Sequence, residues 1–277
     1  TLPELGINDV AIRTYHQWIS PIAKEFGGGI YDEFPKIRES EQFKSSPICL
    51  NEINMYVSEF PEYADGGYKN DLLRFYSYLS NKEIFWPRWD AISADFRKQS
   101  RERLCDQQDD SVLLNLVFAR EGYYPCSTKI QLHLCDHIVI DEAQDFGVME
   151  IRALLNALDV GRTVTIVGDV AQKIVMNRHF GSWQELLSEA GFADTTPIEL
   201  NVSHRSTEEI MSVASALRQD IDFSQSNLTT VRNGPIPTIA MTGDYETQPH
   251  VIGKWIEEKI KENPHALSAV ICRLPKQ

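Results

Sequence analysis

Between Leu134 and Leu200 short apolar runs alternate with segments of helical periodicity, and this alternation constrains the fold more than any other feature of the chain. It predicts strands at Cys135 to Ile140, Thr163 to Val167 and Ile198 to Leu200, with helices at Val148 to Leu158 and Trp183 to Ala190 between them. Parallel strands need a crossover connection and are usually covered on both faces, so the pattern predicts an α/β fold with a parallel sheet flanked by helices. A further helix is expected to open at Ser206-Thr207-Glu208-Glu209, spaced as a capping box, and to run to about Leu217.

The flanks differ in character. Val10 to Thr14 is rich in β-formers and predicts a strand, followed by a helix on which Trp18, Ile19, Ile22 and Phe26 recur before Gly27-Gly28-Gly29. From about Ile30 to Ile130 aromatic and mixed-charge segments predict an inserted, mostly helical subdomain, with helices around Asp71 to Leu79 and Ser111 to Arg120. After Pro235-Ile236-Pro237 a new unit is expected: strand Thr238 to Met241, helix His250 to Lys261 and strand Ser268 to Cys272. Three elements cannot close a sheet, so the chain is expected to be an internal piece of a longer protein.

The 277 residues carry a net charge of −13, which argues against a protein that coats nucleic acid by bulk electrostatics but leaves room for a local basic groove. Five cysteines without a CxxC pair predict reduced thiols and a cytoplasmic setting. No apolar run reaches the roughly 18 residues of a membrane span, and the first residues lack the basic and apolar regions of a signal peptide; no membrane is expected as a partner.

The chemistry is expected at His137-Ile138-Val139-Ile140-Asp141-Glu142-Ala143-Gln144-Asp145, where an apolar strand delivers two adjacent carboxylates to its C-terminal edge. Ligands of parallel α/β sheets bind at that edge. One carboxylate there can hold Mg²⁺, largely through waters, while its neighbour polarises a water aimed at a γ-phosphate. An isolated Asp-Glu pair is more simply a solvated strand end, but two further strand ends extend this one. The second leads into Gly168-Asp169-Val170-Ala171-Gln172, whose amide can contact a phosphate and the attacking water. The third leads into Asn201-Val202-Ser203-His204-Arg205-Ser206, placing a guanidinium just ahead of a helix, where it can stabilise charge on a transferring phosphoryl group.

These residues resemble the UvrD/Rep-like superfamily 1 helicases. Asp141-Glu142-Ala143-Gln144-Asp145 is similar to motif II (Walker B), Gly168 to Ile174 to motif III and Leu200 to Ser206 to motif IV. Thr14-Tyr15-His16 resembles the early motif that meets single-stranded nucleic acid, and Ala266 to Arg273 the opening of a second RecA-like domain. The resemblance implies a RecA-like P-loop NTPase sheet formed from residues 1–29 and 131–234, an accessory insert at 30–130 and a second RecA-like domain beginning at 235–277. It implies ATP and Mg²⁺ as cofactors and single-stranded DNA, or RNA, as partner. Asp141 would hold Mg²⁺, Glu142 would be the general base, Gln172 would sense the γ-phosphate and Arg205 would be an arginine finger. Thr14, Tyr15 and His16 would contact nucleic acid.

The chain also departs from the family. No G-x-x-x-x-G-K-[ST] loop occurs, and the family's order would put that loop upstream of Thr1. The positions that carry base-stacking aromatics after motif III hold Val175 and Asn177, leaving Phe180 and Trp183 as the nearby rings. With the acidic charge, this opens a second reading: a helicase-like core acting as a remodeller or adaptor on a repair or transcription complex. The basic run of Arg88, Arg97, Lys98, Arg101 and Arg103 reads first as a solvated helix face and second as a phosphate-contacting patch. His133, Cys135 and His137 alternate on one strand and cannot by themselves surround a tetrahedral ion, so no metal is expected there.

Overall fold

The computed structural model describes residues 11–28, 39–62, 66–125, 135–169, 172, 182–219, 229–244, 246–265 and 267–271. The chain divides into two compact units, Thr1–Ile198 and Glu199–Gln277.

Unit one begins with helix α1, Tyr15–Glu25. The strand expected over Val10 to Thr14 does not form across residues 11–14. Thr14 caps the helix instead: its Oγ1 accepts from Gln17 N at 3.3 Å and its own amide donates to Gln17 Oε1 at 3.0 Å. A reciprocal Thr-x-x-Gln box fixes a helix start more firmly than a few β-branched residues without a ladder partner fix a strand. The helix ends as Gly27 enters the left-handed region at φ 88° and Gly28 N donates back to Ala23 O at 2.7 Å.

Five helices follow: α2 Glu41–Lys44, α3 Pro47–Glu59, α4 Tyr68–Leu79, α5 Trp89–Glu102 and α6 Asp109–Glu121. Both helices expected in this stretch form, each extended at its N-terminal end. Ser46 caps α3 through a bond from Cys49 N, with Pro47 at the first position, where a missing N–H costs nothing. The core of these helices also takes Ile19, Ile22, Ala23 and Phe26 from α1 and its C-terminal turn, so the first helix packs with the five that follow. Phe43, Tyr56, Phe75, Tyr76 and Phe96 are fully buried there, each such ring contributing about 1.5–3 kcal/mol.

Two buried cations, Arg120 and Lys44, are paired with carboxylates inside this core. Asp71, wholly buried, accepts from Arg120 Nε and Nη2 at 2.8 and 3.0 Å and from the Tyr56 hydroxyl at 2.7 Å. Lys44, 1% exposed, meets Asp109 at 2.5 Å and Asp106 at 3.3 Å, and Asp109 also accepts from Tyr76 and Gln99. Buried charges persist only with such complete partnering. Cys49 and Cys105 are free thiols beside this network; burial pushes Cys49 far above the ordinary thiol range and Cys105 up to about 12.

Four arginines of the basic run on and around α5 have local partners. Arg88 pairs with Glu39, Arg101 with Glu102, Arg103 Nη2 donates to Asn70 Oδ1, and Arg97 Nη2 donates to Ser80 O.

The α/β layer follows: β1 Cys135–Ile140, a single 3₁₀ turn Ala143–Asp145, α7 Val148–Leu155, β2 Leu158–Ile166 and α8 Trp183–Ala190. β1 and β2 pair in parallel from His137↔Thr163 to Ile140↔Ile166, with a bulge between Cys135 and His137. Alternate residues Ile138, Ile140, Val164 and Ile166 pack on Ile151, Leu154, Leu186 and Trp183 of the two helices. α7 is shorter than expected because Leu158 joins the strand. Asn156 is held to Asn115 Oδ1 at 3.3 Å, and Asn115 in turn donates to Met149 O, tying α7 to α6. His137 directs its ring nitrogens to Thr163 and Thr165 Oγ1 at 2.6 and 3.1 Å. His133 lies outside the described residues.

Unit two holds β3 Val202–Ser203, α9 Glu208–Gln219, β4 Thr229–Thr230 and α10 Gln248–Glu262. The strand expected at Ile198 to Leu200 does not form: Ile198 and Leu200 are 89% and 81% exposed, and the parallel ladder starts only where Asn201 O accepts from Thr229 N. The expected capping box is replaced by a single side-chain cap one residue later. Thr207 Oγ1 accepts from Ile210 N, and Glu209 accepts from Gly234 N at 2.8 Å; hydrogen bonds from its own amide and then from Gly234 N hold its carboxyl below the usual carboxylate range. The strand expected at Thr238 to Met241 is absent; of the one expected at Ser268 to Cys272, residues 268–271 form none and Cys272 lies outside the described residues. Among the described residues the sheets are two parallel pairs, β1 with β2 and β3 with β4. Among the described residues no helix is long and apolar enough to cross a membrane.

Candidate active site

β1 delivers Asp141 and Glu142 to its C-terminal end, beside the end of its parallel neighbour. The pairing continues past both strands: Val167 N donates to Ile140 O at 2.8 Å and Ala143 N to Val167 O at 2.9 Å. Between these bonds the chain turns sharply, and Glu142 sits in the left-handed region at φ 53°, ψ 43°. A non-glycine residue there is strained by about 1–3 kcal/mol, a cost sustained where the surroundings fix the backbone and often seen at functional sites. Asp141 Oδ1 accepts from the Glu142 amide at 2.9 Å, and both carboxylates are exposed.

One side chain then joins the two strand ends. Gln144 is 2% exposed; its Nε2 donates to Glu142 Oε2 at 2.6 Å and its Oε1 accepts from Asp169 N at 2.9 Å. Asp169 Oδ2 accepts from Gln172 Nε2 at 2.9 Å. Gly168 makes the approach possible, since a Cβ there would lie 2.5 Å from Gln144 Oε1 and 3.0 Å from Ala143 N. Asp141, Glu142, Gln144, Asp169 and Gln172 thus form one connected group. Val170, Ala171 and residues 173–180 lie outside the described residues.

The helical core braces the same turn. A Cβ on Gly147 would stand 2.6 Å from Ser45 Cβ, while Gly147 N donates to the buried Glu150 carboxylate at 3.0 Å. Phe146 meets the ring of Tyr15 edge-on at 5.5 Å, which puts the first turn of α1 next to the acidic turn. Of the three residues expected to face nucleic acid, Thr14 caps α1, Tyr15 packs on Phe146 and Trp18, and His16 is exposed with Nδ1 2.7 Å from Gln107 Nε2. Arg205 belongs to unit two, exposed between β3 and α9, where its carbonyl accepts from Arg232 Nη1 at 3.4 Å; it is not one of the residues that unit one brings together.

A family model described as an AAA domain matches residues 8–178, well over half of the chain and all of the connected group. The chain belongs to the AAA domain family. No curated protein matches it. An AAA domain is a nucleotide-dependent ATPase module, and the matched span runs from α1 through the helical core to the ends of β1 and β2.

Asp141, Glu142 and Gln172 are singled out by the sequence, which gives no role to Gln144 or Gly168, the two residues through which the structure connects them. The available signal was an amide within a run of acids and a glycine directly after a strand, which has meaning only once the two strands are known to be adjacent.

Proposed function

We propose that the AAA domain is the core of a UvrD/Rep-like superfamily 1 DNA helicase that couples ATP hydrolysis to movement on single-stranded DNA. The observation that carries this reading is the joining of the two parallel strand ends, Asp141 and Glu142 after β1 and Asp169 and Gln172 after β2, through Gln144. In this reading residues 1–29 and 131–234 belong to a RecA-like domain, 30–130 to its insert and 235–277 to the start of a second RecA-like domain, in a cytoplasmic protein.

Asp141 fits the Mg²⁺ of a bound ATP: Oδ1 takes the Glu142 amide, leaving Oδ2 of an exposed side chain for a hydrated cation. A hydrated Mg²⁺ of this kind needs only one or two protein carboxylates beside its waters and the phosphates. When bound, that cation neutralises charge developing on the phosphate oxygens. Glu142 accepts the proton of the attacking water. Gln172 exchanges its bond to Asp169 for the γ-phosphate, Arg205 supplies a guanidinium, and Thr14, Tyr15 and His16 meet the nucleic-acid backbone.

The second reading, a remodeller or adaptor on a protein complex, is favoured by the net charge of −13 and by Val175 and Asn177 in place of stacking aromatics. A salt titration of single-stranded DNA binding by the natural full-length protein separates the two. A motor on nucleic acid is expected to lose affinity steeply as salt rises, because each neutralised phosphate releases counterions. Absent or salt-insensitive binding would support the adaptor instead.

A further inference from the structure

Gln144 holds both partners of a bridge that neither strand could make alone. Its amide nitrogen is 2.6 Å from Glu142 Oε2, its amide oxygen 2.9 Å from the Asp169 amide, and the side chain is almost completely buried. A buried amide with both ends bonded is fixed in rotation, since flipping would set oxygen against carboxylate and nitrogen against N–H. The carboxylate it holds sits on a left-handed residue whose backbone is pinned on either side by bonds to Val167. The far end of the same chain of bonds is Gln172, reached through Asp169.

We propose that Gln144 is a positioning residue that sets the direction of the Glu142 carboxylate and couples it to the segment carrying Gln172. The inference rests on the reading of Glu142 as general base. It adds that the orientation of the base is set from the neighbouring strand, so that a movement of Asp169 as Gln172 changes partner is transmitted to Glu142 through one amide. A donor that holds one carboxylate oxygen leaves the other to take the proton of the attacking water, and misplacement of a reacting group by about 1 Å can lower a rate by roughly a hundredfold.

Three variants of the natural full-length protein test this, with steady-state ATP turnover and binding of a fluorescent ATP analogue as readouts. Gln144→Ala removes both bonds. Gln144→Glu keeps an acceptor for Asp169 N but cannot donate to Glu142, and it preserves size if the alanine variant does not fold. Gly168→Ala leaves both carboxylates and Gln144 in the sequence but places a methyl 2.5 Å from Gln144 Oε1, pushing the amide off its bond to Asp169. The expected result is a kcat lowered roughly tenfold to a hundredfold in all three, with KM and analogue affinity unchanged. Wild-type kcat in the folded variants, or a fall in nucleotide affinity that accounts for all of the loss, would overturn the positioning role. Glu142→Gln, run in parallel, separates the two levels: if that variant keeps its turnover, the assignment of the base is what fails. If it is inactive while the Gln144 and Gly168 variants are normal, only the positioning role fails.

Discussion

Glu142→Gln is expected to abolish ATP turnover in the natural full-length protein while ATP binding persists. The substitution keeps the length and planarity of the side chain, so the left-handed turn and its bonds to Val167 are preserved. It removes the acceptor for the proton of the attacking water, and loss of a general base typically lowers a rate by about 10²–10⁴-fold. Phosphate release measured with and without single-stranded DNA checks the result. Retained turnover with normal binding would show that the proton goes elsewhere, and Asp169, at the end of the neighbouring strand, would be the next residue to replace.

The second large effect concerns stability. Arg120→Ala is expected to destabilise unit one by about 3–5 kcal/mol, because it leaves the Asp71 carboxylate buried without its cation. Arg120 also donates to Phe60 O and lies over the Tyr56 ring, 5.3 Å from its centroid, so α3, α4 and α6 lose a common tie. Most domains are stable by only 5–15 kcal/mol, so the loss is large enough to read by urea denaturation. The double variant Arg120→Met with Asp71→Leu is expected to recover much of it, since an apolar pair of similar volume needs no partner. A single variant as stable as the wild type would mean that water reaches Asp71 and the pair is not buried in solution.

What the sequence made legible follows from how local the governing forces are. β1 and α8 form over the residues expected, because an unbroken apolar run and a Ser182-capped amphipathic segment carry their own signals. Val10 to Thr14 misled because β-branched residues are strand-like only when a ladder partner exists, whereas the Thr14–Gln17 box is complete within one turn. Ile198 to Leu200 failed for the same reason, its apolar side chains remaining exposed. The acidic pair at the edge of β1 was readable from strand patterning. Its partnership with Gln144 was not, because that depends on the parallel register with β2 and on the space at Gly168. Neither ion pair of the helical core could be read from the chain, since Lys44 and Asp109, like Asp71 and Arg120, are neighbours only after the helices pack.

The joined ends of β1 and β2 are expected to receive the phosphates of ATP. Hydrogen–deuterium exchange of the natural full-length protein, with and without Mg²⁺ and a non-hydrolysable ATP analogue, tests it most directly. Slowed exchange is expected in peptides covering 141–145 and 168–172, where the amides of Glu142, Ala143 and Asp169 already form the bonds that shape the turn. Saturating analogue that leaves both segments unchanged while protecting another part of the chain would contradict it.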